Sequence, residues 1–499
     1  MFDLLLTHAT VISMDAERRV IQDGAVGVKD GKIAFVGSSK EVETAASAKT
    51  VDCADHVILP GFVDAHGHGG HSVFKSVVKD TSYWMPVMTH TYKNYLTDDF
   101  WYYEGRLSAL ERLRSGVTTG VCVLGSQPRC DDPIFALNNA KGYAEIGVRD
   151  IVCTGPCSLP WPHRFSRWEN GKRVEKEVSF EQLLDSLETV IQELDHKNND
   201  RTRAYVTPFG AVTSIEVSGP TGADRVIAPT EWDLYQAKEM RRIARKYNTR
   251  IHTDAFGGMV RLAAMDKENA LLGPDVHLQH CTGLSMDEVL LLQKTDTHVS
   301  FAPGMRQVNT RTPVVELLEL GVTVAVSTDG SMLSSSFDMF SAMKRAQAVH
   351  RVASHDDFYL PSEKVLEMAT IDAAKCVGME NEVGSLEVGK KADIITIDLI
   401  NPRLMPRFNI IDTIVANGSP SDVDMVIVDG EILLQDGKAQ RVDERKVLLQ
   451  AEEEAIETVK LAGLDKFAWP SVPQWGRTKL YPDEVRFDLE ASRRDGNYY

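Results

Sequence analysis

Residues 64–72 read DAHGHGGHS, with three histidines and three glycines in nine positions, directly after the apolar run VILPGFV at 57–63. An apolar run that stops at a cluster of imidazoles has the pattern of a buried strand whose carboxyl end carries chemistry. His66 and His68 stand two apart, so in extended chain their side chains point to the same side and can converge on one metal ion.

The same texture recurs downstream. Short apolar strands are expected at GFVDAH, GVTTGVCV, RDIVCTG, RAYVTPFG, RIHTDAF, VHLQHC, THVSFAP and TVAVSTDG. Helical patterns such as DDFWYYEGRLSALERLRSG, FEQLLDSLETVIQELDHK, PTEWDLYQAKEMRRIARKYN and MDEVLLLQKT lie between them. Eight strands alternating with helices predict an α/β fold, a TIM-like (β/α)8 barrel over residues 61–381. His252 then ends the fifth strand, His280 follows the sixth and Asp329 the eighth. All three fall on the face where barrels keep their active sites.

The two ends of the chain differ from this middle. Alternating segments punctuated by tight turns fill residues 1–60 and return at 382–442, which predicts a composite β-sandwich built from both. Residues 443–499 carry an amphipathic helix and an aromatic, proline-punctuated tail. Trp469, Trp475 and Tyr481 are anchors of the kind interfaces use, so a homodimer or larger homo-oligomer is expected.

Composition narrows the partners. The chain has 499 residues, a net charge of −17, 43% apolar and 25% charged residues. Nucleic acid and anionic membrane surfaces require a basic footprint and are excluded, which leaves a small-molecule substrate. Seven cysteines with no C-x-x-C pair argue against a disulfide framework and for a reducing compartment. Cys153 and Cys157 have no second pair nearby and do not read as a structural zinc site. The opening MFDLLLTHATVISMD has no basic leader pattern and alternates like a strand, so a cytoplasmic protein is expected.

PGFVDAHGH at 60–68, the histidine of RIHTDA, the histidine of QHC and the segment STDGS followed by DMF together resemble the amidohydrolase superfamily. The resemblance is to its branch of cytosine and guanine deaminases, adenosylhomocysteine-type deaminases and triazine hydrolases. It implies that His66, His68, His252 and Asp329 hold one divalent metal, zinc first, with iron(II) or manganese as alternatives. It also implies that His280 and Asp329 are catalytic, orienting the attacking water and accepting its proton. Binuclear members carry a lysine at the end of strand four. RAYVTPFGA has none, so a single metal is expected.

One departure bears on substrate. The deaminases of this branch carry H-x-x-E after strand five, where the glutamate protonates a ring nitrogen. Here the stretch reads His252-Thr253-Asp254-Ala255. Asp254 either substitutes for that glutamate or caps the strand end. The reading favoured by this change is a hydrolase of an amide, urea, carbamate or amine-substituted heterocycle. The alternatives are a purine or pyrimidine deaminase and a dehalogenating triazine-type hydrolase. Trp84, Met88, His90 and Tyr92, in a stretch expected to be a mobile loop, together with Trp161 and His163, are the expected aromatic lining of the pocket. His71 reads as a loop histidine rather than a ligand.

Overall fold

The computed structural model describes residues 1–77, 84–125, 129–212, 228–303, 311–332, 336–469 and 475–476. Eight strands form the barrel: β1 (Phe62–Asp64), β2 (Val117–Leu124), β3 (Arg149–Thr154), β4 (Thr202–Val206), β5 (Ile251–Phe256), β6 (Val276–Thr282), β7 (His298–Phe301) and β8 (Val324–Val326). They pair in parallel in chain order from β1 to β8. Every residue of β2 and β3 is buried, as expected where one face meets the barrel interior and the other a layer of helices. Val63, Val121, Ile151, Tyr205 and Ala325 fill the interior, which the helix Ile371–Cys376 closes from below. Phe62, Val117, Val152 and Val276 face outward against the helices.

The helices begin where their caps dictate. Ser179, Thr230 and Ser285 each form a capping box with the residue three further on. Asp132 and Pro133 open the helix that ends at Gly147, whose φ of 101° only glycine adopts readily.

Among the described residues no ladder joins β8 to β1. The seam is closed instead by polar groups. The Asp329 N–H donates to the His66 carbonyl at 3.0 Å. Asp64, fully buried, accepts from Arg112 Nε at 3.1 Å and Nη2 at 2.8 Å. It also accepts from the Thr328 N–H at 3.0 Å and from Thr328 Oγ1 at 2.7 Å. Arg112 comes from the helix Phe100–Arg114 and donates further to the carbonyl of Val121 in β2 and to the Tyr143 hydroxyl. One ion pair thus joins β1, β2, the end of β8 and the first outer helix.

The terminal segments meet in one nine-stranded sheet. The join is an antiparallel ladder between His56–Pro60 and Ile394–Asp398, from Ile394 opposite Pro60 to Asp398 opposite His56. Leu6, Val11, Val26, Ile58, Ile394 and Ile427 form its core. Arg149, at the start of β3, ties the barrel to this sheet through Asp393 at 3.1 Å and Asp429 at 2.8 Å.

Three features add to or depart from the sequence reading. The stretch expected as a loop after β1 contains the helix Trp84–Asn94. The segment after β3 forms an antiparallel hairpin, His163–Glu169 with Lys172–Val178. The amphipathic helix Glu444–Leu461 packs on this chain's own Phe100–Arg114, where Thr97 donates to Glu454 at 2.7 Å and Arg106 to Gln450 at 2.7 Å. Trp469 and Trp475 are exposed, and Tyr481 lies outside the described residues. All seven cysteines are free and buried. Among the described residues no helix is long and apolar enough to cross a membrane.

Replacing Asp64 by Ala strands the Arg112 guanidinium in the core. Urea denaturation of Asp64→Ala should show a loss of about 3–5 kcal/mol, the usual cost of removing one partner of a buried pair.

Candidate metal centre

The loop that leaves β1 stays extended, and His68 pairs with Val123 of β2 as the barrel wall continues. This carries His66 and His68, both buried, to the rim of the barrel. A Cβ at Gly67 would stand 2.3 Å from Arg112 Nη2, so the residue between the two histidines must be glycine for the arginine to reach Asp64. At the ends of β6 and β8 the backbone turns sharply. His280 has φ 71° and Asp329 φ 62°, both left-handed and rare for residues with a side chain. Thr312 Oγ1 holds the His280 carbonyl, and the bond to His66 holds the Asp329 N–H. These two turns aim an imidazole and a carboxylate over the mouth of the barrel.

Two sets of ligand atoms converge there, each within 4.8 Å: His66, His68 and Asp329, and His66, Asp254 and His280. Asp329 Oδ1 lies 3.6 Å from His66 Nε2 and 3.3 Å from His68 Nε2. Ligand atoms at tetrahedral angles around a zinc with bonds of about 2.0–2.1 Å stand about 3.4 Å apart, so these separations suit one ion. His66 Nε2 is buried and has no hydrogen-bond partner among the described residues. The remaining ring nitrogens are directed by the backbone. His68 Nδ1 donates to the Gly125 carbonyl at 2.8 Å, and His252 Nδ1 to the His277 carbonyl at 3.1 Å. The first bond leaves His68 Nε2 as a bare lone pair, the tautomer a metal requires, while the second leaves His252 Nε2 to accept from His66 Nδ1.

Neither converging set includes His252. Its Nε2 meets His66 Nδ1 at 2.8 Å rather than the Nε2 that faces Asp329. His71 stacks on His68 with ring centroids 4.8 Å apart, behind the ligand set. Its position explains Gly330, where a Cβ would stand 1.8 Å from the His71 ring.

The electrostatics favour a cation at this point. Burial pushes His66 well below the usual imidazole range and His252 down to about 3, so both rings are neutral donors. Burial alone would raise Asp329, but the facing imidazoles of His66 and His68 outweigh it and hold the carboxyl well below its ordinary value. Burial also lowers His68, yet Asp329 leaves it raised overall.

His280 Nε2 lies 3.7 Å from Asp254 Oδ2, and burial raises Asp254 above the usual carboxylate range. Ala255, the next residue, turns the other way into the helix layer and is fully buried.

The expected pocket lining divides. Met88 is fully buried in the core, and the Tyr92 ring stands between His71 and Trp101. Both are therefore packing residues of the helix Trp84–Asn94, a correction to their reading as pocket wall. Trp84 is half-buried, edge-on to His71 at 6.1 Å. His90 is buried beside Tyr95. Trp161 packs on His163 at 4.5 Å and on Phe180 at 5.4 Å. Two residues that shape the site have no role in the sequence reading: Asp64, which stands inside the PGFVDAHGH motif, and His277, which acts through its carbonyl.

A sequence profile of the amidohydrolase family matches residues 57–433, and the chain belongs to that family. It is a hydrolase acting on carbon–nitrogen bonds. It is 29% identical over 469 residues to a 5-methylthioadenosine/S-adenosylhomocysteine deaminase of Syntrophobacter fumaroxidans, covering 92% of this chain and 97% of the relative. It is 30% identical over 450 residues to a 5'-deoxyadenosine deaminase of Methanopyrus kandleri, covering 86% and 94%. Among solved structures, a zinc-bound adenosine deaminase from Xanthomonas campestris matches with a TM-score of 0.76 at 19% identity, covering 92% of this chain and 99% of that one. A triazine hydrolase from Arthobacter aurescens matches with a TM-score of 0.76 at 20% identity, covering 91% and 100%. These structural likenesses bear on the fold. Members of the family bind a divalent metal, and the His66, His68 and Asp329 set suits one.

Asp329→Ala removes the one carboxylate shared by both histidines. Elemental analysis of the purified variant should show bound metal at less than about one-tenth of the wild-type content, with turnover lost. Full metal retention would remove Asp329 from the ligand set.

Proposed function

We propose that His66, His68, His252 and Asp329 hold one divalent cation, zinc before iron(II) or manganese, and that the protein hydrolyses the bond between an amino group and the carbon of a small heterocycle. The observation that carries this reading is the convergence of His66, His68 and Asp329, with His280 and Asp254 side by side at the same mouth. A divalent cation held there supplies Lewis acidity and brings the ionisation of water near neutral pH.

The chain's own groups supply the rest. His280 Nε2 and Asp329 Oδ1 orient the attacking water and take its proton. Asp254 turns toward the mouth whereas Ala255 turns away, so Asp254 is the carboxyl that meets the substrate's nitrogen. Half-buried Trp84 and Trp161, with His90 and His163, complete the aromatic side of the pocket. The names of the relatives support ammonia as the leaving group. A second reading, an amide, urea or carbamate as substrate, is favoured by Ala255, which leaves no glutamate at the ring-protonating position.

The test is a panel of adenosine-type nucleosides, purines, pyrimidines, amino- and chlorotriazines, anilides, phenylureas and carbamates, scored for ammonia, organic amine and chloride. Ammonia from an amine-bearing heterocycle, abolished in Asp254→Ala, is the expected result. Organic amine from amides or ureas, with every heterocycle untouched, would replace this reading by the second.

We also propose a cytoplasmic homo-oligomer. Seven unpaired cysteines support a reducing compartment, and exposed Trp469 and Trp475 support an interface. Analytical ultracentrifugation should give at least twice the chain mass of 55.4 kDa.

A further inference from the structure

A second charged cluster stands at the mouth of the barrel, and the metal chemistry does not use it. Lys93, near the end of the helix Trp84–Asn94, is 4% exposed, and its Nζ donates to His163 Nδ1 at 3.5 Å. His163 Nε2 is bonded to the Ser158 carbonyl, which makes Nδ1 the bare acceptor. Burial and then Lys93 push His163 down to about 4, so the ring is neutral and cannot balance the ammonium. Burial pushes the neighbouring Cys157 thiol up, so it too is uncharged. The nearby carboxylate, Asp131, is already bonded to buried Arg129 at 2.7 Å. Among the described residues no carboxylate forms an ion pair with Lys93.

Burial lowers the Lys93 amine below the usual lysine range, because an ammonium whose one hydrogen bond goes to a neutral ring is costly to keep unless something else supplies the anion. Its place in the fold indicates what does. Arg129 and Asp131 follow β2, and Cys157 and His163 follow β3. The Arg129 N–H donates to Leu124, one residue before the Gly125 carbonyl that holds His68. The cluster and the metal centre therefore share the carboxyl face of the barrel. The proposed ligands come from the ends of β1, β5 and β8, and the ammonium lies over β2 and β3. A substrate with its reacting carbon at the metal centre would extend its far end toward that side.

We propose that Lys93, supported by His163, is an anion subsite that binds a carboxylate or phosphate group carried by the substrate. The inference rests on the hydrolase reading for the word substrate, and on the buried cation alone for the site. Lys93 is here a specificity residue: it holds the far end of the molecule and takes no part in bond breaking.

The test titrates sodium acetate and inorganic phosphate into the full-length protein by calorimetry, for wild type, Lys93→Met and Lys93→Gln. Wild type should bind one anion per chain, and both variants should lose at least tenfold in affinity. In anion-free buffer Lys93→Met should melt no lower than wild type, because it removes an unbalanced charge and keeps the volume. Preference for acetate identifies a carboxylate-bearing substrate, and preference for phosphate a phosphorylated one. Equal affinity in all three proteins, or no binding of either anion by wild type, would overturn the proposal. If Lys93→Met does not fold, Lys93→Gln carries the comparison. With a substrate in hand, kcat/KM for an anionic compound relative to its neutral analogue should fall at least tenfold in Lys93→Met. The titration needs no turnover, so it decides the subsite even where the hydrolase panel fails.

Discussion

Asp64 is the constraint on which the site depends. A parallel barrel needs its first and last strands brought together, and here that seam has no described ladder. One fully buried carboxylate bonds to Arg112 on one side and to Thr328 on the other. Two residues beyond Asp64 comes His66, and one beyond Thr328 comes Asp329. The distance between the proposed ligands of β1 and β8 is therefore set by the seam bond itself. This is why a charged pair is kept where an apolar pair would pack as well: its geometry fixes positions that apolar contact leaves loose.

The centre above that seam is a concentration of polar groups at the end of an otherwise apolar barrel. Its electrostatics follow from burial. Dry surroundings keep His66 and His252 neutral, and neutral imidazoles are the form that donates a lone pair. Asp329 stays ionised because two histidines face it. Backbone carbonyls at Gly125 and His277 select the ring nitrogen each histidine presents. The left-handed turns at His280 and Asp329 show where strain is accepted to aim a side chain, at the mouth and held by specific bonds.

The family resemblance and the departure from it now have one structural frame. Along β5 successive side chains face opposite ways, so a carboxyl at 254 and one at 255 are not interchangeable. Asp254 stands beside His280 and Ala255 packs under a helix. That difference separates this chain from the H-x-x-E pattern more sharply than residue type alone. The terminal sheet and the helix Glu444–Leu461 serve as supports, clamping β3 through Arg149 and the outer helix through Thr97 and Arg106.

The sequence by itself determined the eight strands, their order and the convergence of His66, His68, His280 and Asp329 on one mouth, while His252 falls second in β5 rather than at its end and His280 inside β6 rather than after it. Strand and helix periodicities are local, and a barrel places strand ends on one face whatever the loops do. It also showed the two terminal β-rich segments, because alternation is equally local. Tertiary structure decided what depends on partners distant in sequence. Whether Tyr92 lines a pocket or a core depends on Trp101 and His71, which no spacing relates to it. Asp64 became a seam bond through Arg112 and Thr328, 48 and 264 residues away. Lys93 was one more polar residue on a short segment until the fold enclosed it without a counter-charge. Burial and pairing are properties of the packed chain, and one-dimensional patterns carry them only when both partners lie within a few turns.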